Sequence, residues 1–297
     1  MISLLLASLL GIVFLFSGAY CFYRWGWRAL YLFVPAAAAA IALGLLGGGG
    51  RGTDNAAIML APLFIGATAA MSFRSGRSLE FFVLVSSLTL TLVFTGNYLF
   101  LKHARNTDLV AESRNRIIEI VKSSDIGESE KSEFLSRSDQ ALETLRDIVP
   151  FAYFLNSLAA CLICWATLRP LRARLAGPGA PEIKGLEHFR LSDYFIFVLI
   201  FGWLAVLLVD EKAYYPVYAI GLNCALILSV LYLMQAIGIA KFLLARKGLP
   251  RFLLPIGLLA VLFFGVEAAL FVSIILASLG ALDFWADFRK LEIHNKK

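Results

Sequence analysis

An ionisable or amide side chain inside a hydrocarbon layer is costly unless something pairs with it, so such residues are the first place to look for chemistry. Three amides lie within apolar runs of this chain: Asn156, Asn223 and Gln235. Each could hydrogen-bond a neighbouring helix or a small ligand. Asn223 and Gln235 share one run but are twelve residues apart. At about 100° per residue that places them roughly 120° from each other around a helix, so they define no single narrow face. Asp283 and Asp287 follow the last apolar run, with Arg289 and Lys290 close behind. On a continuing helix, Asp283, Asp287 and Lys290 share one face, and Phe284, Phe288 and Leu291 the next. Trp285 and the phenylalanines suit an interfacial belt, and Arg289-Lys290 an inner anchor. An acid at the depth of Asp283 calls for a charge partner, and Arg190 and Arg251 are available. The expectation is that Asp283 or Asp287 docks the last helix onto an inner loop. Glu267 is either an outer turn residue or, if buried, an acid suited to proton coupling.

No catalytic constellation accompanies these groups. His103, His188 and His294 fall in separate loops or the tail and form no metal-ligand cluster. Cys161-Leu162-Ile163-Cys164 has redox spacing but lies mid-run, where core packing is the simpler role. Gly47–Gly50 with Arg51-Gly52-Thr53 lacks the Gly-Lys-Ser/Thr of a phosphate loop and follows a helix, so it reads as a flexible outer turn. The expectation is a protein that is not an enzyme and needs no cofactor or metal.

The elements that must position these residues are membrane spans. The chain is 60% hydrophobic and 16% charged, against roughly 45–50% and about 25% in ordinary soluble domains. The apolar residues fall in runs of about 17–25, the length that crosses a core of roughly 30 Å as a helix. Helices are the default because each backbone group must be satisfied within its own segment. The runs are about 2–23, 29–46, 56–73, 81–101, 148–168, 194–209 and 217–240, followed by an apolar stretch at 252–282. At 31 residues that stretch is long for one span. Two helices meeting near Gly265-Val266-Glu267 are expected, one tilted helix being the alternative. The first run has no basic n-region and is followed by aromatic residues, so it reads as a retained span rather than a signal peptide. Four cysteines, all in apolar runs, imply no disulfide framework.

The net charge is +6 with pI about 9.2. The basic residues flank apolar runs, so topology rather than nucleic acid explains them. Arg24/Arg28, Arg74/Arg77, the loops 169–190 and 241–251 and the tail belong inside. The fold class that follows is an all-α polytopic transmembrane helix bundle of about nine spans, eight or ten being allowed. The N-terminus lies outside and the C-terminus in the cytoplasm of a bacterial inner membrane. Three parts result: a four-span half (1–101), an extracytoplasmic helical insert (102–147) and a second half of about five spans (148–297). The insert carries eight basic and ten acidic residues. Val110, Ile117 and Val121, and then Leu135, Leu142 and Leu145, repeat at helical spacing around a turn at 123–127. This predicts two amphipathic helices in an antiparallel hairpin, either a solvated face or a contact surface for a membrane protein partner, a cytoplasmic protein partner being left to the inner loops. Small residues and Pro35 and Pro62 in the second and third runs favour close helix packing or a lined cavity. Phe22–Gly26 and Ser72–Gly76 echo each other, as a tandem repeat would.

The C-terminal third carries a resemblance. Gly221-Leu222-Asn223, Leu233-Met234-Gln235-Ala236, Lys247-Gly248-Leu249-Pro250 and Leu279-Gly280-Ala281-Leu282-Asp283, closed by Arg289, resemble the YybS-like family of multi-pass bacterial membrane proteins. His188–Asp193 is similar to that family's inner Pro-Phe-Arg loop, with Ser192 where proline is common. Ala236 stands where the family has glycine. The resemblance implies a membrane protein loosely similar to energy-coupling-factor type transporter components, with the lipid bilayer as its medium. Two functions are expected from different classes: a permease or substrate-binding component for a small molecule, or a non-enzymatic scaffold or sensor acting through the insert and the cytoplasmic loops.

Overall fold

A computed structural model describes residues 17–22, 24–29, 31, 35, 38–39, 42, 52–104, 108–124, 127–176, 184–250 and 252–289. Spans expected at 2–23 and 29–46, and the turn at 47–50, lie largely or wholly outside the described residues. Helices dominate what is described and no strand occurs among these residues. They are α1 (Gly52–Ser75), α2 (Leu79–Ala104), α3 (Leu109–Lys122), α4 (Glu128–Asp147), α5 (Val149–Ala176), α6 (Tyr194–Leu208), α7 (Tyr215–Arg246), α8 (Leu253–Phe263) and α9 (Val266–Ala286). By length and composition, α2, α5, α7 and α9 can each cross a membrane among the described residues, and α6 is a shorter apolar helix. The chain folds into two compact units: Met1–Ser75 with Val83–Ala180, and Gly76–Phe82 with Pro181–Lys297.

In the first unit, α1 packs on α5, with the Phe73 and Trp165 rings 4.8 Å apart. Ala67, Ala69 and Ala70 are buried, the close backbone approach that small residues allow in lipid. A hydroxyl pair, Thr68 Oγ1 and Ser86 Oγ at 2.8 Å, ties α1 to α2. Phe94 stacks on Tyr153 of α5 at 5.6 Å. Cys161 and Cys164 are buried free thiols, while Cys21 and Cys224 are half-buried and also free. Beyond the spans, α3 packs on α4. The Asp108 side chain caps α3 by accepting the N–H groups of Val110 and Ala111 at 3.0 and 3.4 Å. Arg146 donates back to Asp108 at 3.1 Å, and Arg114 clamps both oxygens of Asp139 at 2.7 Å. These two cross-links fix an antiparallel register. Helix α4 passes into α5 almost without a break, through Ile148 N–H to the Thr144 carbonyl and Ala152 N–H to the Ile148 carbonyl.

In the second unit, α7 is the centre: α6, α9 and the segment Leu186–His188 all pack on it. Its 32 residues rise about 48 Å, well beyond a core of roughly 30 Å. The α6–α7 crossing is made by glycines, since a Cβ on Gly202 would stand 3.0 Å from the Gly221 carbonyl oxygen. The Lys247-Gly248-Leu249-Pro250 stretch is a helix stop. Gly248 takes φ +69° and its N–H, with that of Leu249, satisfies the last carbonyls of α7. The apolar stretch 252–282 is broken at Gly265 (φ +95°), the neighbourhood expected from sequence, but unequally. The 11 residues of α8 rise about 16 Å, half a hydrocarbon core, whereas α9 is of full spanning length.

Candidate functional site

Among the described residues, the densest buried polar cluster lies at the C-terminal end of α9 against the C-terminal half of α7, all within the second unit. Its formation starts with Gly280. A Cβ there would collide with the Tyr232 carbonyl oxygen, so only glycine lets α9 lie this close to α7. The approach brings Gln235 of α7 against α9, where its amide Nε2 donates to the Gly280 carbonyl and to Asp283 Oδ2, both at 3.1 Å. Its Oε1 accepts the Leu191 N–H at 2.9 Å. Both amide hydrogens of Gln235 are therefore used by the protein, and its oxygen by the inner loop.

Helix α9 then ends. Asp287 adopts the left-handed conformation (φ 38°, ψ 59°), which Asp tolerates better than most residues. The turn folds Phe288 and Arg289 back over the helix end. Asp283 Oδ1 accepts the Phe288 N–H at 2.9 Å, and Arg289 Nη2 donates to Asp283 Oδ2 at 2.7 Å. The two side chains are 1% and 0% exposed. Arg289 Nη1 reaches the loop, donating to the Phe189 carbonyl at 2.8 Å and the Glu187 carbonyl at 3.2 Å. A cation at the C-terminus of α9 also meets the negative end of the helix dipole. Arg289 Nε and His188 Nδ1 are buried without a hydrogen-bond partner.

The loop is pinned from three further directions. A Cβ on Gly238 of α7 would strike the Leu186 carbonyl oxygen, so the loop lies flat on the helix. Lys241 pairs with Glu187 at 2.6 Å. The Arg190 N–H donates to Glu80 Oε2 at 3.3 Å, and the Arg190 guanidinium stands 3.9 Å from both Asp193 and Asp287. Phe189 and Leu191 are buried beneath this lattice.

The residues singled out from sequence are thus placed as follows. Gln235, Asp283 and Arg289 form one network, with Asp287 at its turn and Arg190 at its rim. Asn223 is elsewhere, buried on α7 and donating to the Ala219 carbonyl at 2.8 Å. It is about 18 Å of helical rise from Gln235. Asn156 is exposed on α5, and Glu267 is exposed in the first turn of α9. Two expectations need correction. Asp283 pairs with Arg289 of its own tail rather than with Arg190, which stands 3.9 Å from Asp287 instead; Arg251 lies outside the described residues. The helix expected to carry Asp283, Asp287 and Lys290 on one face stops at Ala286, before Asp287, and Lys290 lies outside the described residues. Sequence reasoning missed Gly280, Glu187, Lys241 and Glu80. The spacing of Gly280 and Asp283 next to a later arginine was visible, but not the turn that joins them.

Five of the residues quoted for the family resemblance are joined by contacts, Phe189 to Arg289, Arg289 to Asp283, and Asp283 and Gly280 to Gln235, whereas Asn223 and the 247–250 stretch lie elsewhere. A family model described as "Predicted membrane protein (DUF2232)" matches residues 1–284. The chain belongs to this family. For this DUF2232 member the match spans both units and takes in Gln235, Gly280 and Asp283. No curated protein matches the chain, and no solved structure does. Chemically, the DUF2232 network is a clasp. Asp283 receives donors on both oxygens, so its charge is held rather than offered, and no group of three or more potential metal ligands occurs among the described residues.

Proposed function

We propose that this membrane protein is of transport type, a permease or substrate-binding component for a small molecule in a bacterial inner membrane, with the tail and the clasped loop in the cytoplasm. One observation carries the reading: the interruption at Gly265, which divides an apolar stretch into the half-length α8 and the full-length α9. Glycine-interrupted apolar segments are the features from which transporters build midplane sites, because freed carbonyls there can line a cavity. The resemblance to the YybS-like family and to energy-coupling-factor type components points the same way. Clasping of the inner loop onto α7 and α9 would then fix the cytoplasmic end while the α8–α9 break provides the moving part. Purified protein in nanodiscs, titrated with a panel of vitamins and metabolites, tests this. Saturable binding weakened by Gly265→Leu is expected; absence of binding across the panel would sink the idea.

A second reading, a non-enzymatic scaffold or sensor, is favoured by the large apolar side chains left exposed on the α3–α4 hairpin. Deleting residues 107–146 separates the two. A transporter keeps its ligand binding, whereas a scaffold loses its function and its crosslinked partners.

A further inference from the structure

The α3–α4 hairpin has one apolar face more than a two-helix hairpin needs. Its seam is filled by Ile117 and Val121 on α3 and by Leu135 and Leu142 on α4, all buried or half-buried. Ile120 and Phe134 do not belong to that seam. At about 100° per residue each lies roughly 90° from it, and because the helices are antiparallel both project to the same side. The register set by Asp108–Arg146 and Arg114–Asp139 puts Ile120 and Phe134 at the same height. They are 68% and 53% exposed, and Leu145, exposed on the same side nearer the spans, extends the strip past Ala141. The opposite side carries Ser132, Ser136 and Glu143, all exposed.

We infer that this strip is the contact face for a second copy of the same chain, two hairpins forming a four-helix bundle outside the membrane. Three observations select that occupant. First, the hairpin stands on spans, since α4 runs into α5 through continuous helical hydrogen bonds. Two copies inserted in one membrane with the same orientation can be related only by a dyad along the membrane normal, which keeps every residue at its own height. Secondly, a strip with Ile120 level with Phe134 complements itself under that operation: Ile120 of each copy meets Phe134 of the other, and the small Ala141 lets the helices close below them. Thirdly, the rim is neutralised in advance. Arg116 is paired with Glu112 at 2.8 Å and Arg137 with Glu133 at 2.5 Å, each within its own helix. These four rim charges are thus compensated within each copy before the faces meet. The inference stands apart from the transport reading, since neither needs the other.

The test uses the full chain in native membranes. Ile120→Cys and Phe134→Cys chains carrying different tags are co-expressed and oxidised, with the wild-type chain as control for the four native thiols. A mixed-tag disulfide dimer is expected, with none from a Glu143→Cys pair on the opposite face. In mild detergent the Ile120→Asp/Phe134→Asp double variant should fall from dimer to monomer mass with its helicity unchanged. The inference is overturned if the wild-type chain is monomeric in membranes, if Glu143→Cys crosslinks equally, or if the two cysteines crosslink only to a different polypeptide.

Discussion

Arg114 meets Asp139 and Arg289 meets Asp283 at the same 2.7 Å, and the chemistry of the two pairs is identical. Their surroundings are opposite. The hairpin pair is 52% and 41% exposed, the clasp pair 0% and 1%. In water an aspartate and an arginine exchange hydration for each other at nearly equal cost, and such pairs contribute little. At the end of α9 neither charge has water to return to. There the pair is viable because Gln235, the Phe288 N–H and two loop carbonyls complete its hydrogen bonds at every buried polar atom except Arg289 Nε. Distance alone says nothing about how much an ion pair matters; the number of other groups committed to it does. The clasp binds three chain segments remote in sequence, the hairpin pair only two neighbouring helices.

The contrast is broken most directly at Arg289. Arg289→Ala leaves Asp283 buried and unpaired, and a loss of about 3–5 kcal/mol is expected, read as a large fall in thermal midpoint in nanodiscs. Replacing both charges, as in Asp283→Leu with Arg289→Met, should recover much of that loss, since an apolar pair carries no desolvation cost. If the single and double variants are equally unstable, the network is not held together by charge. Gly280→Ala comes next. Its Cβ meets the Tyr232 carbonyl, so α9 must move off α7, at about 1–3 kcal/mol for overpacking. Gly202→Ala should be milder, because its Cβ would meet Gly221 at 3.0 Å, a distance that small shifts relieve. Gln235→Ala sharpens the picture at a similar or smaller scale. It strands the buried Leu191 N–H, worth about 1–3 kcal/mol, and should raise hydrogen exchange at residues 186–191 before the rest of the unit. Unchanged protection of that loop would show that Gln235 does not hold it.

How much of this was legible depended on which force sets each feature. Helix boundaries followed from hydrophobic run length: the runs at 81–101 and 194–209 became α2 and α6 within a few residues. Asp283 stood out because an acid at membrane depth must be paired. Its partner was hidden, since Arg289 can reach it only if the helix stops at Ala286 and Asp287 turns left-handed. Aspartate at such a turn is uncommon enough that continuing the helix was the natural reading. Gln235 was visible as a buried amide, but two of its three partners, a carbonyl and a backbone N–H, exist at every residue and leave no mark in sequence. The length of α8 was equally illegible: a glycine in a continuous apolar stretch marks where a break can occur, not how the residues divide around it.

The smallest effect belongs to the hairpin, and it carries a pH signature. The Arg114 guanidinium hydrogen-bonds the Asp139 carboxylate and holds it below its ordinary value of 3.8. A depressed carboxylate stabilises the folded form wherever the unfolded group is ionised, that is above about pH 4. The contribution is lost as pH falls through the lower, folded value. Because the pair is exposed that contribution is small, so Arg114→Ala should lower the thermal midpoint near neutral pH only slightly, in contrast to Arg289→Ala. The difference between Arg114→Ala and the wild type should close toward the acid end of a pH series. The wild-type thermal midpoint in nanodiscs should fall as pH drops below about 4, and the Asp139→Asn variant should show a flatter profile. A wild-type profile as flat as that of Asp139→Asn would mean that the exposed pair contributes nothing at any pH, which is the limit to which solvent screening tends.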